Sequence, residues 1–164
     1  MFLPYQGRRA LVTGGAGFIG SHLVRRLIEW GAEVVVLDDL STGHRANVPD
    51  ATRFVEGSIL DDRALAVAMD GASVVFHLAA IVSVADSVER PEHCHLVNVE
   101  GTVRVLEAAR HAGVERLIFA SSCAVYGNEP RLPSTEADPL EPVSPYAASK
   151  AGAEGFVTAY GRRY

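Results

Sequence analysis

Thr13-Gly14-Gly15-Ala16-Gly17-Phe18-Ile19-Gly20 is the stretch on which the fold turns. It follows an apolar run from Arg9 to Thr13 and opens a segment of helical period from Gly17 to Trp30, the strand–turn–helix setting of a dinucleotide fingerprint. Glycines at 14, 17 and 20 allow a tight turn, close backbone approach to a pyrophosphate and close packing of helix on strand. The helix start, with Phe18 and Ile19, attracts phosphate charge. Asp38 lies 18 residues beyond Gly20 at the end of a second apolar run. A carboxylate there accepts hydrogen bonds from adenosine ribose hydroxyls and repels a 2'-phosphate, so NAD is expected over NADP. Arg45, seven residues on, would soften that discrimination; the plainer reading is an exposed loop arginine.

Outward from this loop, short apolar runs alternate with segments of helical period, the pattern of βαβ units. Strands are expected at Arg9 to Thr13, Glu33 to Leu37, Thr52 to Glu56, Ser73 to Leu78 and Arg116 to Ser121. Helices are expected at Gly17 to Trp30, Asp61 to Met69, Pro91 to Ala112 and Pro145 to about Arg163, with Gly31, Gly71 and Gly113 capping the first three. Asn128 to Pro145 holds five prolines and reads as a loop. The fold class is α/β, a doubly wound parallel sheet of Rossmann-like form. The chain stops after its last helix with no strand to follow, so the sheet is expected to lack its last members.

Composition narrows the function classes. A chain of 164 residues, 48% hydrophobic and 21% charged, reads as one globular domain that needs no disulfide framework. Cys94 and Cys123 have neither a redox nor a zinc spacing, so no metal and a reducing cytoplasm are expected. A net charge of -5 without clustered basic residues argues against nucleic acid. No apolar run approaches the ~20 residues of a membrane span, and the first strand begins too early for a signal peptide.

Of 15 basic residues only Lys150 is a lysine. It stands in Ser144-Pro145-Tyr146-Ala147-Ala148-Ser149-Lys150, where Ser144 is a good N-cap and Pro145 a good first helical residue. Tyr146 and Lys150 then share one helix face at i and i+4. A tyrosine is a poor base at neutral pH, and an adjacent ammonium favours its phenolate. Ala120-Ser121-Ser122-Cys123-Ala124-Val125-Tyr126-Gly127 follows the fifth strand, at the carboxyl edge where open α/β sheets bind ligands. A hydroxyl there would orient a substrate alcohol.

TGGAGFIG, DDLSTG, HLAA, SSCAVYG and SPYAASK, in this order, resemble the NAD-dependent epimerase/dehydratase family of extended short-chain dehydrogenases, typified by UDP-glucose 4-epimerase. The resemblance covers essentially the whole chain. It implies that Tyr146 is the catalytic acid/base, that Lys150 is its electrostatic partner and a ligand of the nicotinamide ribose, and that Ser122, not Ser121, is the catalytic hydroxyl. Leu78, Ala79 and Ala80 match a segment lying along the cofactor, and Ser83 joins Ser122 and Tyr146 on the substrate. Asn98 matches a position near the active site, and equally reads as an amide anchoring its helix. His77 reads as a buried histidine with a hydrogen-bond partner. In the adenine segment Ser58 and Ile59 follow Gly57 where the family usually has an Asp, a weaker contact. Cys123 reads as small packing with nothing to activate it.

The implied reaction is sugar-nucleotide 4-epimerisation through a 4-keto sugar, with a UDP-sugar as partner. Dehydratases of the family carry an Asp-Glu pair where this chain has Cys123-Ala124, which disfavours elimination. UDP-glucose or UDP-N-acetylglucosamine 4-epimerisation comes first. UDP-glucuronate processing, another sugar-nucleotide conversion (dehydratase, decarboxylase or reductase), or a non-catalytic NAD-binding fragment are the alternatives. Family members have a C-terminal substrate lobe that this chain is expected to lack, leaving residues 1–164 as the NAD-binding domain. The resemblance also implies a homodimer through the helices at Pro91 to Ala112 and Pro145 to Arg163. Val99, Val103, Leu106 and Ala109 recur there at helical spacing, a stripe that equally suits the sheet.

Overall fold

The computed structural model describes residues 4–128 and 132–164. Five strands, β1 (Arg9–Thr13), β2 (Glu33–Asp38), β3 (Arg53–Glu56), β4 (Val74–His77) and β5 (Arg116–Phe119), form one parallel sheet in the order β3-β2-β1-β4-β5. Val12 of β1 sits opposite Val36 on one side and Phe76 on the other, which fixes the register of the three central strands. The connections run outward from β1 to β3 and then resume on the other side of β1 with β4. That reversal is where open α/β sheets bind ligands at their carboxyl ends, and the glycine loop leaves β1 there.

Two compact units make up the chain: Met1–Ala79 with Arg104–Ala120, and Ala80–Val103 with Ser121–Tyr164. The first holds the sheet, α1 (Phe18–Glu29) and α2 (Asp62–Met69). Ala10, Val12, Val24, Leu27, Val34 and Val36 form a core against α1. Leu11 and Val35 are also fully buried, so the central strands are covered on both faces and their apolar runs are continuous. Gly31, Gly71 and Gly113 have positive φ, as the capping reading expects. Asp61 caps α2 by accepting from the Arg63 and Ala64 amides.

The second unit contains α3 (Val84–Glu89), α4 (Pro91–His95), a π-helical turn (Leu96–Glu100), the start of α5 (Gly101–Ala112), a 3₁₀ turn (Cys123–Tyr126) and α6 (Pro145–Arg163). The single helix expected from Pro91 to Ala112 is thus interrupted. Thr102 donates its hydroxyl to the Asn98 carbonyl at 2.6 Å, and the Asn98 side chain is drawn onto the Ile81 backbone, a local demand that helical spacing does not reveal. α3 was not expected, because VADSVE is short and lacks an apolar stripe. β3, β4 and β5 are shorter than their apolar runs, and β2 is one residue longer, ending on Asp38.

Within the proline-rich loop no helix or strand forms over residues 132–144, and Glu129 to Arg131 lie outside the described residues. Leu106 and Ala109 are buried within the chain, the inward of the two readings of their stripe. Among the described residues no helix is long and apolar enough to cross a membrane.

Candidate active site

The glycine loop is built by close approach of backbone to backbone. Gly14 has φ +72°, and a methyl group on it would lie 2.7 Å from the Ala79 nitrogen. A methyl on Gly20 would overlap the Gly14 carbonyl oxygen. Gly17 differs: φ is an ordinary -76°, and a methyl there would meet nothing nearer than the Gly14 oxygen at 3.4 Å. The fold itself therefore does not require glycine at 17. The first bond of α1 runs from the Ser21 amide to the Gly17 carbonyl, so the Phe18, Ile19 and Gly20 amides precede the helical ladder. The Phe18 and Ile19 side chains are exposed.

This separates two glycines by experiment. Gly17→Ala should leave stability within about 0.5 kcal/mol yet weaken NAD about tenfold, and Gly20→Ala should lower stability by about 1–3 kcal/mol. Thermal unfolding beside calorimetric titration of the isolated chain checks both.

Asp38 is buried at the end of β2 and has a second task that spacing did not indicate. Its Oδ2 accepts from the Ala16 amide and its Oδ1 from the Leu40 amide, both at 2.9 Å, so the carboxylate ties the glycine loop to β2. Each oxygen keeps a lone pair, enough for two ribose hydroxyls. Asn47, which the sequence reading missed, donates its side-chain amide to the Ala16 carbonyl at 2.9 Å. Arg45 donates to the Val48 carbonyl and stacks over the Phe54 ring at 4.8 Å. Ser58 Oγ accepts from the Leu60 amide at 3.2 Å and retains its proton for donation; Ile59 is buried.

At the end of β4 the Thr13 hydroxyl accepts from the Leu78 and Ala79 amides at 3.2 and 3.3 Å. With its lone pairs engaged, its proton points at His77 Nδ1, 2.7 Å away, which puts the ring proton of a neutral His77 on Nε2. His77 is the buried, partnered histidine expected. Leu78, Ala79 and Ala80 are half-buried.

In the second unit the helix start is built as its sequence predicts: Ser144 Oγ accepts from the Ala147 amide at 3.1 Å, and Pro145 is the first helical residue. Tyr146 and Lys150 are both buried, at 9% and 4% exposure. Burial pulls the Lys150 ammonium down from 10.5 to about 8, an effect partly opposed by coulombic attraction to Cys94. Ser122 Oγ caps the 3₁₀ turn by accepting from the Ala124 amide at 3.2 Å, which leaves its proton to donate. Ser83 caps α3 in the same way through the Asp86 amide.

Asn98 accepts from the Ile81 amide at 2.8 Å and donates to the Ile81 carbonyl at 3.0 Å and to Ser149 Oγ at 2.9 Å. Its amide is engaged inside the chain, which is the anchoring reading. Among the described residues no cluster of His, Cys, Asp and Glu could hold a metal ion. The open face at Gly17, the amides at the start of α1 and the spare lone pairs of Asp38 fit the phosphates and ribose of a dinucleotide.

The NAD dependent epimerase/dehydratase family model matches residues 10–164. A UDP-glucose 4-epimerase of Mycolicibacterium smegmatis is 47% identical over 163 residues, covering 95% of this chain and 52% of the relative. The crystal structure of the Thermus thermophilus UDP-glucose 4-epimerase in complex with NAD aligns with TM-score 0.89 and 45% identity, covering 95% of this chain and 51% of that one. A dTDP-glucose 4,6-dehydratase of Streptomyces venezuelae with NAD bound aligns with TM-score 0.89 and 43% identity, over 95% and 52% of the two chains. The chain spans about half the length of the curated relatives it matches. With its glycine loop, Asp38 and the SPYAASK helix start in register along one Rossmann-like chain, it belongs to the NAD-dependent epimerase/dehydratase family.

Proposed function

We propose that this chain supplies the NAD-binding and acid/base residues of a UDP-hexose 4-epimerase. The observation that carries the reading is the placement of Tyr146 and the chain's only lysine four residues apart, both buried, on the first turns of α6. Gly14, Gly17, Phe18, Ile19 and Gly20 would hold the pyrophosphate through their backbone. Asp38 would hold the adenosine ribose, with Ser58 and the Ile59 backbone on the adenine. Leu78, Ala79 and Ala80 would lie along the cofactor, while Asn98 would act through Ile81 and Ser149 by fixing the backbone beside it.

When bound, NAD supplies reversible redox chemistry at the sugar carbon. The Tyr146 oxygen takes the proton of the sugar 4-hydroxyl as that carbon becomes a ketone and gives it back on reduction. Lys150 as ammonium lowers the cost of the phenolate and would also bind the nicotinamide ribose. With its proton leaving near pH 8, that support declines above this pH. Ser122 donates to the sugar oxygen and Ser83 lies with it on the substrate.

Likeness to a dehydratase raises a second reading, but elimination needs a carboxylic acid and a carboxylate where this chain has Cys123 and Ala124. Epimerisation needs neither. The reading includes a homodimer, supported by family resemblance, and a cytoplasmic setting, supported by two free cysteines.

Calorimetry of the chain with NAD and NADP tests cofactor choice: NAD should bind more tightly, and equal affinity would sink the assignment of Asp38. Asp38→Asn should weaken NAD about tenfold while sparing NADP, because one acceptor and the charge are lost. It should also lower stability by about 1–3 kcal/mol, since an NH₂ group then faces either the Ala16 or the Leu40 amide.

A further inference from the structure

We infer that Ser87 is a positioning residue for the acid/base pair, its hydroxyl fixing the first turn of α6 by accepting the Tyr146 amide proton. The inference rests on the proposed roles of Tyr146 and Lys150 and deepens them. Tyr146 is the second residue of α6, and its amide precedes the helical ladder, so it has no carbonyl partner within the helix. Ser144 serves the next amide, that of Ala147. The Tyr146 amide is instead taken at 3.1 Å by Ser87 Oγ, a residue of α3 that is 59 positions away and fully buried.

The hydroxyl direction is set from the other side. Ser87 donates its proton to the Val84 carbonyl at 2.6 Å, which turns a lone pair toward Tyr146. The Tyr146 carbonyl is held in turn by the Ser149 hydroxyl at 2.7 Å, and Ser149 accepts from Asn98. Both backbone polar groups of Tyr146 are therefore tied by serine hydroxyls. Without the Ser87 hydroxyl a buried amide loses its acceptor, and the first turn gains freedom to let water reach the side chains it projects. Lys150, one turn further on, reports this, because its proton affinity depends on how well water is excluded.

The experiment uses the chain labelled with [¹⁵N]lysine, in which Lys150 gives the only side-chain lysine signal, titrated by NMR. The parent should titrate near pH 8. Ser87→Ala should move the midpoint upward by about one pH unit, a tenfold change in proton affinity. Ser87→Thr and Ser87→Val, equal in volume and differing in the hydroxyl, keep the test readable if the alanine variant does not fold: threonine should titrate as the parent and valine as alanine. Asp61→Ala, which removes the cap of α2, should lower stability without moving the midpoint. Identical midpoints for the threonine and valine variants, or an equal displacement by Asp61→Ala, would overturn the inference. Failure of NAD to bind the parent would count against the proposed function and leave these midpoints unaffected.

Discussion

Replacing Lys150 by methionine should make the chain more stable at pH 7 by about 3 kcal/mol, although the residue is central to the proposed chemistry. The reason is the cost of holding an ammonium away from water. In the unfolded chain Lys150 keeps its proton up to 10.5, while in the folded chain it gives the proton up near 8. Across that window the unfolded state binds more protons, so parent stability rises with pH from about 8 to 10.5. Below 8 both states are protonated and the full burial cost remains. Methionine fills similar volume without charge, so its advantage should be largest at pH 7 and fade by 10.5. Thermal unfolding of both proteins at pH 7 and pH 10 measures this. A variant less stable than the parent at pH 7 would mean that the buried ammonium contributes net stability.

Tyr146→Phe should reduce epimerase turnover about 10³-fold, the usual scale of a lost general acid/base and equivalent to ~4 kcal/mol of barrier. Residues 1–164 joined to the second half of the Mycolicibacterium smegmatis relative provide the test protein, since that relative is 47% identical over 163 residues. The phenyl ring keeps the packing of the buried Tyr146, so NAD affinity and unfolding temperature should change little. A fall in turnover accompanied by an equal fall in NAD affinity would point to a positional role instead.

What was legible in the sequence was local. Gly14, Gly17 and Gly20 after an apolar run, Asp38 at the end of the next strand, and Ser144-Pro145 opening a helix each follow from rules acting over a few residues. The parallel sheet followed from the alternation of short and long segments. Contacts between distant segments were not legible. The bond from the Tyr146 amide to Ser87 spans 59 positions, and Asn98 meets Ser149 across 51. No periodicity encodes either.

The π turn at Leu96–Glu100 was hidden for a related reason. Its apolar spacing continues that of the flanking helices, while the Asn98 amide within it bonds to the Ile81 backbone, a contact across 17 positions. Asp38 shows a further limit, because one carboxylate serves both the Ala16 amide and the spare lone pairs offered to a ribose. Spacing suggested the ribose contact alone.

Product analysis of the joined protein given UDP-galactose and NAD decides between epimerisation and elimination. UDP-glucose is expected as the product, inverted only at carbon 4, with no loss of water from the sugar and with turnover dependent on Tyr146. A 4-keto-6-deoxy sugar as the accumulating product, or inversion that persists undiminished in Tyr146→Phe, would contradict it.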